Sequence, residues 1–214
     1  MIASHRRGIS GTVRLNTWTT QPRQLFLYGK NSDKVYHLGG NQILYGDKLT
    51  ISANSHLDGI LLFARTITIE DGFHGCGQFF CADSLLIGTG VHLSAPSGIL
   101  VSGHEHPYIE IGKNSKIDGY VVVLNEGWED KELLYPSLIQ HRGSQMSGLV
   151  YIDGAAMLAG VINGSAFLGD CFTQVNGRKY PGVLQNVQIS YDADAIYPKL
   201  LKGPYRRREI RKVY

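Results

Sequence analysis

Charged side chains are scarce in this chain. Asp, Glu, Lys and Arg make up 18% of its 214 residues, and together with 26 glycines this disfavours helical bundles and coiled coils. Cysteine is scarcer still. Three thiols (Cys76, Cys81 and Cys171) are too few and too odd in number for a disulfide framework, and no CxxC spacing occurs for zinc or redox work. No run approaches the about eighteen apolar residues of a membrane-spanning helix, and residues 1–7 lack the apolar stretch of a secretory signal. The chain is therefore expected to be either cytosolic or a piece of a longer protein. No paired-aspartate motif occurs either, which argues against carbohydrate cleavage.

What is present is apolar. Hydrophobic residues are 43% of the chain, with 12 Tyr and 7 Phe, which is too much to leave disordered. The net charge of +3 is too small to argue for nucleic acid, and none is expected as a partner. The basicity belongs to one end. Lys202, Arg206, Arg207, Arg208, Arg211 and Lys212 are six of the 21 basic residues, and without that tail and its Glu209 the body carries 15 basic against 17 acidic residues.

A six-residue repeat organises the middle. Stepping by sixes from Ile51 gives Ile51, Leu57, Phe63, Ile69, Gly75, Cys81, Ile87, Leu93, Ile99, Glu105, Ile111, Ile117 and Val123, of which eleven are apolar. Two residues before each step from Leu57 onward stands a second column, from Ser55, Leu61, Ile67 and Phe73 to Ser115 and Val121, all apolar or small. Residues two apart on a strand face the same side, so each hexad gives a short strand with two inward positions and a turn. Three hexads make a coil of about eighteen residues, rising roughly 4.8 Å. A helix fails the test, because a strict six-residue step does not stay on one face of a 3.6 period. The pattern predicts an all-β fold: a single-stranded parallel β-helix, a solenoid of stacked coils, over residues 41–201. An acidic insertion at 124–137 interrupts it, and the repeat resumes at Val150, Ala156, Ile162 and Leu168. Residues 1–40 keep no hexad and are expected to cap the first coil, with strands among Ile9, Val13, Leu15, Trp18 and Leu25 to Tyr28. Residues 202–214 form the basic tail.

Three groups of residues carry possible chemistry. His56, His74 and His92 lie eighteen apart, each just before an inward position, so they should form an outward ladder of imidazoles about 5 Å apart, close enough to share a transition metal. The plainer reading is a stacked neutral ladder. Gly103-His104-Glu105-His106-Pro107 puts Glu105 at an inward slot, which a strand does not tolerate, so this is a loop. Glu126, Glu129, Asp130 and Glu132 crowd beside Trp128 and Tyr135 in the insertion; Trp128, Glu129, Asp130 and Tyr135 form a candidate binding loop, with aromatics as anchors and acids setting orientation. Asp58, Asp118 and Asp153 each precede Gly, which reads as a tight bend. Ile111-Gly112-Lys113-Asn114-Ser115-Lys116-Ile117 and Ile87-Gly88-Thr89-Gly90 look like coils of a hexapeptide-repeat acyltransferase, for which His104 or His141 would be the base. No catalytic residue and no cofactor is otherwise indicated.

Gly77-Gln78-Phe79-Phe80-Cys81-Ala82-Asp83-Ser84-Leu85, Ala95-Pro96-Ser97-Gly98-Ile99, Gly148-Leu149-Val150-Tyr151-Ile152-Asp153-Gly154 and Leu158-Ala159-Gly160-Val161-Ile162-Asn163-Gly164 carry a likeness to a known family. The stretch from Leu49 to about Leu201 resembles bactofilin-like, polymer-forming β-helical proteins, closest to a Bacteroidota cell-envelope group. The resemblance implies a right-handed coil and a noncatalytic scaffold of the bacterial cell envelope. It also implies a protein partner or self-association, and membrane proximity through an N-terminal anchor absent from this chain or through the basic tail. A hexapeptide-type acyltransferase is the alternative.

Overall fold

The computed structural model describes residues 13–17, 23–26, 35–40, 42–126 and 135–192. The strands, in chain order, are β1 (Val13–Thr17), β2 (Arg23–Phe26), β3 (Tyr36–Gly40), β4 (Gln42–Ile51), β5 (His56–Asp58), β6 (Ile60–Ile69), β7 (His74–Gly75) and β8 (Gly77–Ile87). They continue with β9 (His92–Gly103), β10 (Tyr108–Ile111), β11 (Lys116–Asn125), β12 (Leu138–Gln140), β13 (Gln145–Met157), β14 (Val161–Val175), β15 (Arg178–Pro181) and β16 (Gln188–Ser190). Among the described residues there is no helix, and no helix long and apolar enough to cross a membrane. Neighbouring strands run parallel, with β14 and β15 the antiparallel exception, joined by the Asn176-Gly177 turn.

The all-β expectation holds, but the single-stranded solenoid does not. Six parallel strands close on one another as a barrel, with the other strands outside the ring. The long strands bend, so their two halves meet different neighbours. Residues 84–87 of β8 pair with β10, while residues 78–81 pair with 98–101 of β9. From β10 the path runs to β12, from β12 to the end of β13, then to β11 and back to β9. A hexad period says which side chains turn inward and leaves open how bent strands close on each other. That is why periodicity predicted a stack of open coils where the strands form a ring.

The inward columns are largely as read. Leu57, Ile69, Leu93 and Ile117 are at most 1% exposed, and Phe79, Leu85, Ile99, Ile109, Val121, Val150 and Ile162 fill the same interior. Serines in the second column reach the backbone where the chain turns. The Ser55 hydroxyl accepts from the Tyr36 amide at 2.9 Å, and Ser115 accepts from the Val91 amide at 3.1 Å while donating to the Gly88 carbonyl at 2.7 Å. Buried hydroxyls are tolerated there because corner amides and carbonyls need partners.

The register fails at one place. Leu61 and Phe63 lie on the outward side of β6, and Ile60 and Leu62, both 0% exposed, point in. A one-residue slip moves a strand's whole side-chain set to the other face, and an irregularity between Ala64 and Thr66 restores the phase at Ile67 and Ile69. Residues 1–40, expected as a cap, supply β1 and β3 to a three-stranded sheet with β5, and β2 to the edge of the long sheet beside β4. Residues 127–134 of the insertion and the tail at 202–214 lie outside the described residues.

Candidate functional site

An outward sheet face is the first feature. Tyr45, Phe63, Phe80, Leu100, Val122, Tyr151 and Phe167 stand in one register across β4, β6, β8, β9, β11, β13 and β14. Tyr45 and Phe63 stack with ring centroids 5.2 Å apart, and Phe63 and Phe80 at 4.5 Å with planes 8° apart. Tyr151 is 43% and Phe167 57% exposed. Beside this row, two residues earlier, run Ile43, Leu61, Gln78, Gly98, Tyr120, Leu149 and Ser165; Tyr120 folds over Gly98 and donates from Oη to the Gln78 side chain. On the other flank Arg65 bridges Asp47 (3.0 Å) and Asp83 (3.1 Å). Outward positions of a solvated sheet alternate with the core and are normally polar. Here two adjacent outward columns are mostly apolar. The hexad reading missed this row, because it counted Leu61 and Phe63 as inward.

A second feature is a hydrogen-bonded trio. Glu110 on β10 accepts from Tyr108 Oη at 2.7 Å through one oxygen and meets His141 Nε2 at 2.8 Å through the other. The hydrogen bond from His141, then that from Tyr108, holds the Glu110 carboxyl below its ordinary 4.5. Burial, followed by the contact with Glu110, pushes the Tyr108 phenol up. Glu110 rims an open depression whose walls include Glu70, Asp71, Leu86 and Gly88. Of the two histidines considered as a base, His141 thus has an orienting carboxylate, with both side chains partly exposed. His104 pairs with Glu126 at 2.9 Å, with both side chains exposed.

The imidazole ladder forms in part. His74 and His92 are register partners with ring centroids 5.7 Å apart, edge to face, and His37, unnoticed in the sequence, pairs with His56. The next rung after His92 is Lys116, whose ammonium lies 3.1 Å from Asp118 Oδ2, and His92 Nε2 is 3.5 Å from the same oxygen. A fixed cation on the Asp118 carboxylate opposes a dication there. Among the described residues no group of three His, Cys, Asp or Glu side chains is placed to hold a metal ion.

The loop and the insertion meet. Residues 104–107 leave the strands as expected of a loop, the Glu126 amide donates to the Gly103 carbonyl at 3.2 Å, and His106 lies 4.7 Å from the Tyr135 ring. Tyr135 is 57% exposed. Trp128, Glu129 and Asp130 lie outside the described residues. Comparison with family models, curated proteins and solved structures finds no match for this chain.

Proposed function

We propose that the protein is a noncatalytic structural and interaction scaffold, and, by its resemblance to bactofilin-like proteins, one of the bacterial cell envelope. One observation carries the reading. The outward face from Tyr45 to Phe167 is apolar over seven strands, whereas the outward row Thr50, Thr68, Leu86, Glu110 and Ile139 mixes polar and apolar side chains and His37, His56, His92 and Lys116 are polar. Contiguous exposed apolar patches on soluble molecules mark surfaces that another macromolecule covers. A photo-crosslinking residue at position 100, in cells that make the protein, should yield adducts with protein. Irradiation that yields none would overturn the reading.

A second reading, a hexapeptide-type acyltransferase, is favoured by the 2.8 Å pair of His141 and Glu110, which holds an imidazole as a general base requires. Its test is thiol release from an acyl-thioester that His141→Ala abolishes.

A further inference from the structure

We propose that the apolar face binds a second copy of this chain, packed face to face about a two-fold axis through the Leu100 rung, perpendicular to the row. The proposal rests on the scaffold reading and names its partner.

The face has seven rungs, and Leu100 is the fourth, in the middle. A two-fold axis there sets rung one against rung seven. Tyr45 then meets Phe167, Phe63 meets Tyr151, Phe80 meets Val122, and Leu100 meets its own copy. Bulky rings face bulky rings at both ends, and the smaller aliphatic residues meet at the centre.

The flanking column decides the orientation. Following the row by two residues on each strand are Asp47, Arg65, Ala82, Ser102, Leu124, Asp153 and Gly169. The same axis lays Arg65, on rung two, against Asp153, on rung six, and sets Ala82 on Leu124. Arg65 bonds Asp47 through Nε and Asp83 through Nη1, and neither of these bonds uses Nη2. The other two-fold choice, an axis along the row, puts Arg65 against Leu61 and Asp153 against Leu149. That buries charge on hydrocarbon and is disfavoured.

Size agrees with this partner. Seven strands about 4.8 Å apart and three outward positions wide cover about 650 Å² per copy, or about 1,300 Å² for the pair, within the range of specific interfaces. A self-complementary patch is what a two-fold dimer requires. A sugar chain fits less well. Phe63 and Phe80 turn their ring faces on each other, with planes 8° apart, and present edges outward.

Sedimentation equilibrium of the purified chain tests the proposal. The chain should be a reversible dimer, and Leu100→Glu should be monomeric with an unchanged far-ultraviolet circular dichroism spectrum. Asp153→Arg should weaken the dimer about tenfold or more, and adding Arg65→Glu should recover most of the loss. A chain that is monomeric at every concentration overturns the proposal. So does a dimer indifferent to Leu100→Glu, or a charge reversal that the second reversal does not rescue. Crosslinks in cells to a protein of another size, with a monomeric purified chain, would overturn the dimer and leave the scaffold standing.

Discussion

The Glu110 carboxylate accepts from a phenol and meets an imidazole, and both contacts favour its charged form. Its folded-state pKa lies below the ordinary 4.5, so the stability it contributes is present above that value and is lost as pH falls through the folded one. Glu110→Gln should lower the melting temperature at pH 7 and flatten its fall below about pH 4.5. A variant whose acid limb overlays the parent's would sink the assignment. Core truncations test the register directly. Leu93→Ala and Leu62→Ala, both at 0% exposed positions, should each cost about 2–5 kcal/mol in denaturant melts. Phe63→Ala opens no cavity and removes two ring stacks of about 0.5–1.5 kcal/mol each. A Phe63→Ala loss larger than that of Leu62→Ala would reinstate the unbroken six-residue step. The period placed Leu93 correctly and Phe63 on the wrong face, since apolar residues occupy both sides of β6 and alternation there carries no phase.

Strands change direction here at glycines that the sequence marks only as Asp-Gly, Ser-Gly or Asn-Gly pairs. Gly119 on β11, Gly148 on β13 and Gly164 on β14 are register partners with φ of 155°, 133° and 147°. A Cβ at Gly119 would sit on the Ser97 carbonyl oxygen, so the bend in β11 and its close approach to β9 have one cause. Gly177, in the hairpin turn between β14 and β15, has φ of 79° with nothing near its missing Cβ. Gly177→Ala should therefore cost only its left-handed backbone, about 1–2 kcal/mol. Gly119→Ala should cost more, because a strand must also move. Thermal melts of the two variants compare these costs, and equal losses would show that the bend is not fixed by that contact. Asp118 was legible as a bend residue but not as the anchor of Lys116 and His92, because that contact joins strands whose alignment shifts between Ile117 and Gly119. His37 escaped notice for a similar reason: it lies nineteen positions before His56, off the eighteen-residue step.

At the scale of the molecule, closure depends on pairings that run across the two irregular segments. The step from β8 to β10 spans residues 104–107, and the step from β10 to β12 spans the acidic insertion, yet Ser84 pairs with Tyr108 and Ile109 with Leu138. Both segments depart from one corner, where the Glu126 amide meets the Gly103 carbonyl and His106 meets Tyr135. Their positions were readable as breaks in the period. Their meeting was not, since it depends on which strands become neighbours. The ring's contacts are made by residues on either side of 127–134: Val121, Val123, Leu138 and Gln140 are all at most 1% exposed. Replacing residues 127–134 by a short Gly-Ser linker should thus leave the melting temperature within a few degrees of the parent's, because loop-closure entropy changes slowly with length. If the insertion also serves binding, as its Trp128 and acids suggest, the same variant should lose capture of a basic protein partner at low salt and keep the Leu100-centred dimer. A variant that fails to fold would show instead that the insertion holds β12 against β10. In that case the acidic residues would have to be counted as part of the barrel's own packing.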